Sequence, residues 1–311
     1  MDISILMPVY NEEKNVSSAY EEVSQVLLNI GKSYEIIFIN DGSTDCTLDS
    51  LKKIQLSHSD VKIVDLTRNF GQTAAIAAGF HISNGSIVIT MDGDLQNDPT
   101  DIPRFLEEIE KGFDVVSGWR RKRMDPFARR ILSKLANCLI SMVLGVKLHD
   151  YGCAIKAFRK GVVKNLNLYG EMHRFIPAVA GWTGARIREI EVNHRKRAHG
   201  TSKYGYRRVV RVFLDLLVML FLSEYRTKPI RFFGGLAIAN FLLGTTSLAI
   251  LVYMKIFMAT DMTGNPFLIL AVLFFLVSIQ LISIGFISEI NIRTYYESQH
   301  KTIYNIKEVI G

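Results

Sequence analysis

The chain has 311 residues, of which 49% are hydrophobic, and a net charge of +7. That is ample material for a folded core, and the length allows roughly two domains. Three widely spaced cysteines, Cys46, Cys138 and Cys153, argue against a disulfide framework and a cysteine zinc site and fit a reducing compartment.

Over the first 118 residues, short runs rich in Ile and Val alternate with longer amphipathic stretches. The pattern predicts an α/β domain with a mostly parallel sheet and crossover helices. Strands are expected at Ile3–Val9, Tyr34–Asn40, Val61–Leu66, Ser86–Met91 and Asp114–Ser117, and helices at Glu12–Ile30, Thr44–Gln55, Gly71–Ile82 and Pro99–Lys111. Open parallel sheets bind ligands outside the carboxyl ends of their strands. Four polar clusters fall there: Pro8-Val9-Tyr10-Asn11-Glu12-Glu13, Asp41-Gly42-Ser43-Thr44-Asp45, Arg68-Asn69-Phe70-Gly71-Gln72 and Asp92-Gly93-Asp94.

Asp92 and Asp94 alternate along an extended chain, and Gly93 lets the backbone come close. Their hard carboxylate oxygens suit Mg²⁺ or Mn²⁺ that also holds a diphosphate. Alone, Asp-Gly-Asp reads equally well as a turn; four clusters converging on one rim favour the metal. No Gly-x-Gly-x-x-Gly follows the first strand and no Walker-type Lys-Ser/Thr is present, so dinucleotide and P-loop chemistry are unsupported.

Past Arg120 the alternation stops. Residues 127–144 carry Ile131, Leu135, Leu139 and Met142 at helical spacing behind Arg129 and Arg130, a face for core packing or for lipid. Residues 206–224 lead from Arg207, Arg208 and Arg211 into Val212, Phe213, Leu214, Leu216 and Leu217, the pattern of an interfacial helix. Arg195 to Arg211 hold seven Lys or Arg in 17 positions, a patch whose place ahead of the apolar segments favours anionic lipid or a phosphate ligand over nucleic acid.

Phe232–Tyr253 and Pro266–Ser288 are 22 and 23 residues without a formal charge, each long enough to cross a bilayer. Their short connector makes a hairpin. Arg226, Lys228 and Arg231 before it, with Arg293, Lys301 and Lys307 after it, predict both ends on the cytoplasmic side. The opening Met-Asp-Ile-Ser has no secretory signal pattern. The expected organisation is a cytosolic domain over 1–205, a juxtamembrane amphipathic helix over 206–228, a membrane region over 229–290 with spans at about 231–254 and 266–289, and a cytosolic tail over 291–311.

The three clusters at 8–13, 41–45 and 92–99 (Asp92-Gly93-Asp94-Leu95-Gln96-Asn97-Asp98-Pro99) together resemble the family 2 glycosyltransferases with a GT-A fold. Asp150-Tyr151-Gly152-Cys153 with Lys156-Ala157-Phe158-Arg159-Lys160, and Arg197-Ala198-His199-Gly200-Thr201-Ser202-Lys203, resemble the polyisoprenyl-phosphate branch, which includes dolichol-phosphate mannose synthases. Arg68 to Gln72 and the two spans are similar to the bacterial bactoprenol glucosyltransferases. Two departures bear on the sugar: Gly93 stands where mannose synthases typically have Ala, and Ile155-Lys156 where they have Phe-Arg.

The resemblance implies an inverting, metal-dependent transfer of a hexose from a UDP-sugar to undecaprenyl or another polyprenyl phosphate at the bacterial inner membrane. Glucose from UDP-glucose is the first expectation, and mannose or an aminoarabinose-type sugar the alternative. It also implies that Asp94 and Gln96 ligate the metal, that Asp92 contacts ribose, metal or metal-bound water, and that Pro8, Tyr10 and Glu12 line the nucleoside pocket with Ile39 and Asp41 behind them. A lipid phosphate is already ionised, so no general base is required. Positive charge is what the protein must supply. Arg120, Arg129, Arg197 and Lys203 are the candidates, with Ser202 as a hydroxyl donor, and Arg197 and Lys203 alternatively clamp the donor diphosphate. Asp150 is read as orienting the site, binding the sugar or capping a helix, and Trp119 and Trp182 as sugar-stacking or core residues. His149, His173, His194 and His199 lack metal-ligand spacing within a helix. A small hairpin under a larger cytosolic domain favours a homo-oligomer. A processive polysaccharide synthase is disfavoured, since no Gln-x-x-Arg-Trp is present, and a lipid-phosphate carrier would leave the four rim clusters unexplained.

Overall fold

The computed structural model describes residues 1–121, 141, 145–164, 166, 168, 172–182, 184–195, 229–298 and 306–310. The chain divides into two units, Met1–Leu216 with Thr302–Gly311, and Leu217–Lys301.

The first unit is built on an eight-stranded sheet: β1 (Ile3–Val9), β2 (Tyr34–Asn40), β3 (Val61–Leu66), β4 (Ile87–Thr90), β5 (Val115–Trp119), β6 (Lys156–Arg159), β7 (Ile187–Glu191) and β8 (Ile306–Ile310). Their order across the sheet is β7-β5-β6-β4-β1-β2-β3-β8. Strands β1 to β4 are mutually parallel, and β1 and β2 read as near-continuous apolar runs because both faces are covered. The other half is mixed. β6 runs antiparallel to β4 and β5, β7 is parallel to β5, and β8 pairs antiparallel with β3.

Four helices follow the first four strands: α1 (Val16–Ile30), α2 (Thr47–Ser57), α3 (Gln72–Ile82) and α4 (Ile102–Glu110), the last preceded by a 3₁₀ turn at Pro99–Asp101. One core gathers Ile3, Ile5 and Met7 of β1, Phe38 of β2 and Ile89 of β4 with Val23 and Leu27 of α1 and Phe105 of α4. Burying side chains of this size contributes about 1.5–3 kcal/mol each. α3 is small-faced, with buried Ala74, Ala75, Ala78 and Gly79, so it lies close against Leu6 and Ile39. A further helix, α5 (Ile176–Trp182), precedes β7.

The second unit is a pair of long helices, α6 (Pro229–Met258) and α7 (Pro266–Ser298). Ser278 Oγ donates to the Ala237 carbonyl across the pair at 2.8 Å. Arg231–Met258 and Pro266–Ser288 are long and apolar enough to cross a membrane. Large apolar side chains such as Phe241, Leu242, Phe257, Leu276 and Phe286 are exposed along both helices, which water would penalise and lipid would not.

Candidate functional site

The exits of β1 to β4 are tied to one another by side-chain bonds. Past β1, Asn11 adopts φ 55°, a left-handed conformation that Asn tolerates better than most residues. Its side-chain oxygen accepts from the Thr44 N–H at 2.8 Å, and its own N–H donates to Ser43 Oγ at 3.0 Å. The Glu12 N–H donates to Thr47 Oγ1 at 2.9 Å, and the Glu12 carboxylate accepts from Asn15 Nδ2 at 2.6 Å. These bonds occupy residues 11–15, so α1 begins at Val16 and not at Glu12 as expected.

Past β2, Asp41 is buried and accepts from the backbone N–H groups of Phe70 at 2.7 Å and Gly71 at 2.9 Å. Burial pushes its carboxyl pKa up, and the two N–H bonds pull it part of the way back. Gly42 beside it has φ 64°, and a Cβ there would lie 2.3 Å from the Arg68 carbonyl carbon, so the loops after β2 and β3 meet at a point only glycine fits. Past β3, the Gln72 amide Nε2 donates to Asp92 Oδ1 at 2.8 Å. All four exits therefore belong to one bonded rim.

The carboxylate loop is itself tightly held. The Asp92 N–H donates to the Asn97 side chain at 3.1 Å, and the Gln96 N–H donates to Asp94 Oδ1 at 3.2 Å. Leu95 sits at φ 62°, which costs a non-glycine residue about 1–3 kcal/mol and is the kind of strain that gathers at working sites. Gly93 packs on β1: a Cβ there would come within 2.6 Å of Val9 Cγ1. The glycine at the centre of the triplet thus has a local reason in this chain.

Asp94 is buried and Asp92 half-buried. Among the described residues no three His, Cys, Asp or Glu side chains gather as a self-sufficient metal site. Two carboxylates in a glycine-lined cradle instead suit a hard divalent cation that takes its remaining ligands from phosphate oxygens and water.

A second group of contacts joins the exit of β5 to the loop before β6. Arg120 forms a fork with Asp150, Nε to Oδ2 at 2.7 Å and Nη2 to Oδ1 at 3.0 Å. Burial alone would lower the Arg120 pKa, but Asp150 more than offsets it and holds the guanidinium above its ordinary value, with Asp92 also within electrostatic reach. Asp150 also accepts from the Gly152 N–H, so it orients Arg120 within a turn instead of capping a helix. Glu189 of β7 secures that loop through the N–H groups of His149 and Asp150, both at 2.9 Å. Trp119 stacks on His149 with ring centroids 4.3 Å apart, beside a cavity of about 370 Å³ that also touches Arg188 and Glu189. Lys156, fully buried at the start of β6, donates to the Cys153 carbonyl, and burial pushes its pKa down.

The chain leaving β7 runs beside the carboxylate loop. Asn97 and His194 form a bridge, the Arg195 N–H donates to the Gln96 carbonyl at 3.0 Å, and the Arg195 side chain pairs with Glu22 and Asp98. Arg195 is thereby a structural tie within the basic run.

Of the residues expected at the site, Glu12, Asp41, Asp92, Gly93, Asp94 and Gln96 lie on the bonded rim, Pro8 and Tyr10 end β1 next to it, and Arg120 is within electrostatic reach of Asp92. Ile39, expected behind the pocket, is fully buried in the core beneath α3. Arg129, Arg197, Ser202 and Lys203 lie outside the described residues, as do most of the helix expected at 127–144 and all of that expected at 206–224. Gln72 and the Asp150 fork carry no local sequence signal for these contacts, because their partners lie 20 and 30 residues away.

The first unit thus gathers a carboxylate pair and three further strand exits at one rim of a mixed α/β sheet whose β1 to β4 are parallel. Residues 4–166 match the family described as glycosyl transferase family 2, and the chain belongs to it. It is 42% identical to a dodecaprenyl-phosphate galacturonate synthase of Rhizobium johnstonii, over 99% of this chain and 93% of the relative. It is 36% identical to an undecaprenyl-phosphate 4-deoxy-4-formamido-L-arabinose transferase of Pseudomonas aeruginosa, over 99% and 90%. Among solved structures, the fold is shared with glucosyl-3-phosphoglycerate synthase of Mycobacterium tuberculosis in complex with Mn²⁺ and UDP-glucose, at TM-score 0.56 and 18% identity over 71% of this chain and 78% of that one. It is also shared with a Pyrobaculum calidifontis mannosyltransferase bound to GDP-mannose and Mn²⁺, at TM-score 0.52 and 16% identity over 72% and 64%.

Proposed function

We propose that this glycosyltransferase moves one sugar from a UDP-sugar to a polyprenyl phosphate, with inversion at the anomeric carbon. The observation that carries the proposal is the bonded rim around Asp92 and Asp94, in a chain that also bears two bilayer-length helices. The relatives' names favour a substituted pyranose, a uronic acid first and a formamido-arabinose second, ahead of the glucose expected from sequence.

Asp94, Gln96 and Asp92 are the residues that would hold Mg²⁺ or Mn²⁺. A bound divalent cation supplies neutralisation of the charge that grows on the departing nucleoside diphosphate. Pro8 and Tyr10 offer the nucleoside a flat wall at the end of β1, and Asp41 braces the loop that closes its far side. Arg120, fixed by Asp150 and within electrostatic reach of Asp92, supplies positive charge for the acceptor phosphate. Arg129 and Ser202 are assigned to the same phosphate, and Arg197 and Lys203 to the donor diphosphate. The tie of Arg195 to Gln96 starts that basic segment beside the metal loop.

In the reaction an acceptor phosphate oxygen forms the new bond to the anomeric carbon while the bond to the diphosphate oxygen breaks. The bonding electrons leave with the diphosphate, and no proton needs to move. The catalytic domain and both chain ends are assigned to the cytoplasmic side. Pairing of β8 with β3 supports one shared side for both, since two crossings return the chain to the sheet domain, and the Lys and Arg residues flanking the hairpin make that side the cytoplasm.

The test is a donor panel: purified protein with polyprenyl phosphate, Mg²⁺ or Mn²⁺, and radiolabelled UDP-galacturonate, UDP-4-deoxy-4-formamido-L-arabinose or UDP-glucose. Label is expected in the organic phase with one donor at least tenfold above the rest. No lipid label with any of them would overturn the proposal.

A further inference from the structure

The chain of contacts that ends on Asp92 starts at the far side of the rim. Asp41 grips the N–H groups of Phe70 and Gly71, which fixes the start of α3. Gln72 is the first residue of that helix, and its amide is delivered to Asp92 Oδ1 at 2.8 Å. The Asp92 backbone is pinned separately, by its N–H bond to Asn97. One anchor sets where the residue sits, and the other sets which way its carboxylate faces.

We infer that Gln72 is a positioning residue for the metal site, holding the Asp92 carboxylate in the orientation from which it meets the cation or its bound water. This rests on the donor-site assignment of Asp92 and Asp94 and adds a residue to which the sequence pattern gives no metal-site role. Two physical facts support it. An amide donor on one carboxylate oxygen restricts rotation of the side chain, so less freedom is lost when a cation arrives. Partners that hydrogen-bond a ligating carboxylate typically change metal affinity by 10- to 100-fold when removed. Gln72 is half-buried at the first position of a helix, where a side chain of similar size is compatible with folding.

The test is Mn²⁺ uptake by the full-length protein at saturating UDP, followed through the electron paramagnetic resonance signal of free Mn²⁺. Gln72→Met keeps the length and removes the donor; Gln72→Asn keeps the amide but withdraws it by one methylene. Both are expected to raise the Mn²⁺ dissociation constant about tenfold, with thermal midpoints within a few degrees of the parent. In turnover, the Mn²⁺ concentration for half-activation should rise by the same factor, and kcat at saturating Mn²⁺ should fall less. Wild-type protein that takes up Mn²⁺ alongside variants of unchanged affinity would overturn the role of Gln72 and leave the donor site standing. Wild-type protein that takes up no Mn²⁺ would overturn the donor-site assignment, and this inference with it.

Discussion

Arg120 and Asp150 show how a single pair can serve both stability and chemistry. Their side chains are 13% and 4% exposed, so neither charge is well solvated without the other. Removing one partner of a buried pair costs about 3–5 kcal/mol, because a desolvated charge remains. Asp150→Ala is therefore expected to lower the thermal midpoint in detergent by about 6–12 °C, at roughly 2–4 °C per kcal/mol for about 3 kcal/mol. The double replacement Arg120→Met with Asp150→Leu should recover much of that stability while remaining inactive. Scanning calorimetry beside a transfer assay separates the two effects, and a double variant that regained activity would remove Arg120 from the acceptor site.

At the scale of elements, the limits of β1, β2 and β3 agree with the sequence pattern residue for residue, and β4 is one residue shorter at each end. Those strands are apolar runs buried on both faces, the strongest local signal a parallel strand can give. β6 and β7 escape the sequence pattern because Lys156-Ala157-Phe158-Arg159 and Ile187-Arg188-Glu189-Ile190-Glu191 are short and half charged. β8 follows the apolar helices and is recruited by the open edge of β3, a partner no local pattern can announce. The site divides in the same way. Asp92, Asp94 and the strand-exit clusters are contiguous and therefore legible. The bonds from Asp41 to the Phe70 loop and from Gln72 to Asp92 join different exits, and become visible only once the sheet sets those exits side by side.

The contact of Gly93 with β1 also belongs to this scale. Gly93→Ala would push a methyl to within 2.6 Å of Val9 Cγ1 and shift the carboxylate loop away from the strand. Overpacking of this kind costs about 1–3 kcal/mol. The expected result is a donor KM raised about tenfold or more, with relief when Val9→Ala restores the space. A single Gly93→Ala variant with parental KM would show that the loop tolerates the methyl and that its position is not set by β1.

For the whole molecule, the two units divide the chemistry between them. One is a sheet domain with a carboxylate rim, and the other is a helical pair whose apolar side chains are suited to lipid. A transferase and a lipid-phosphate carrier would share the helical pair. Only the transferase needs the rim. The decisive measurement is therefore Asp94→Asn in full-length protein, assayed in parallel for polyprenyl phosphate binding and for transfer of labelled sugar from the preferred UDP-sugar. A metal-holding Asp94 predicts lipid binding within about twofold of the parent and transfer reduced by at least 100-fold, on the order of 3 kcal/mol in transition-state stabilisation. Transfer at the parental rate would contradict it.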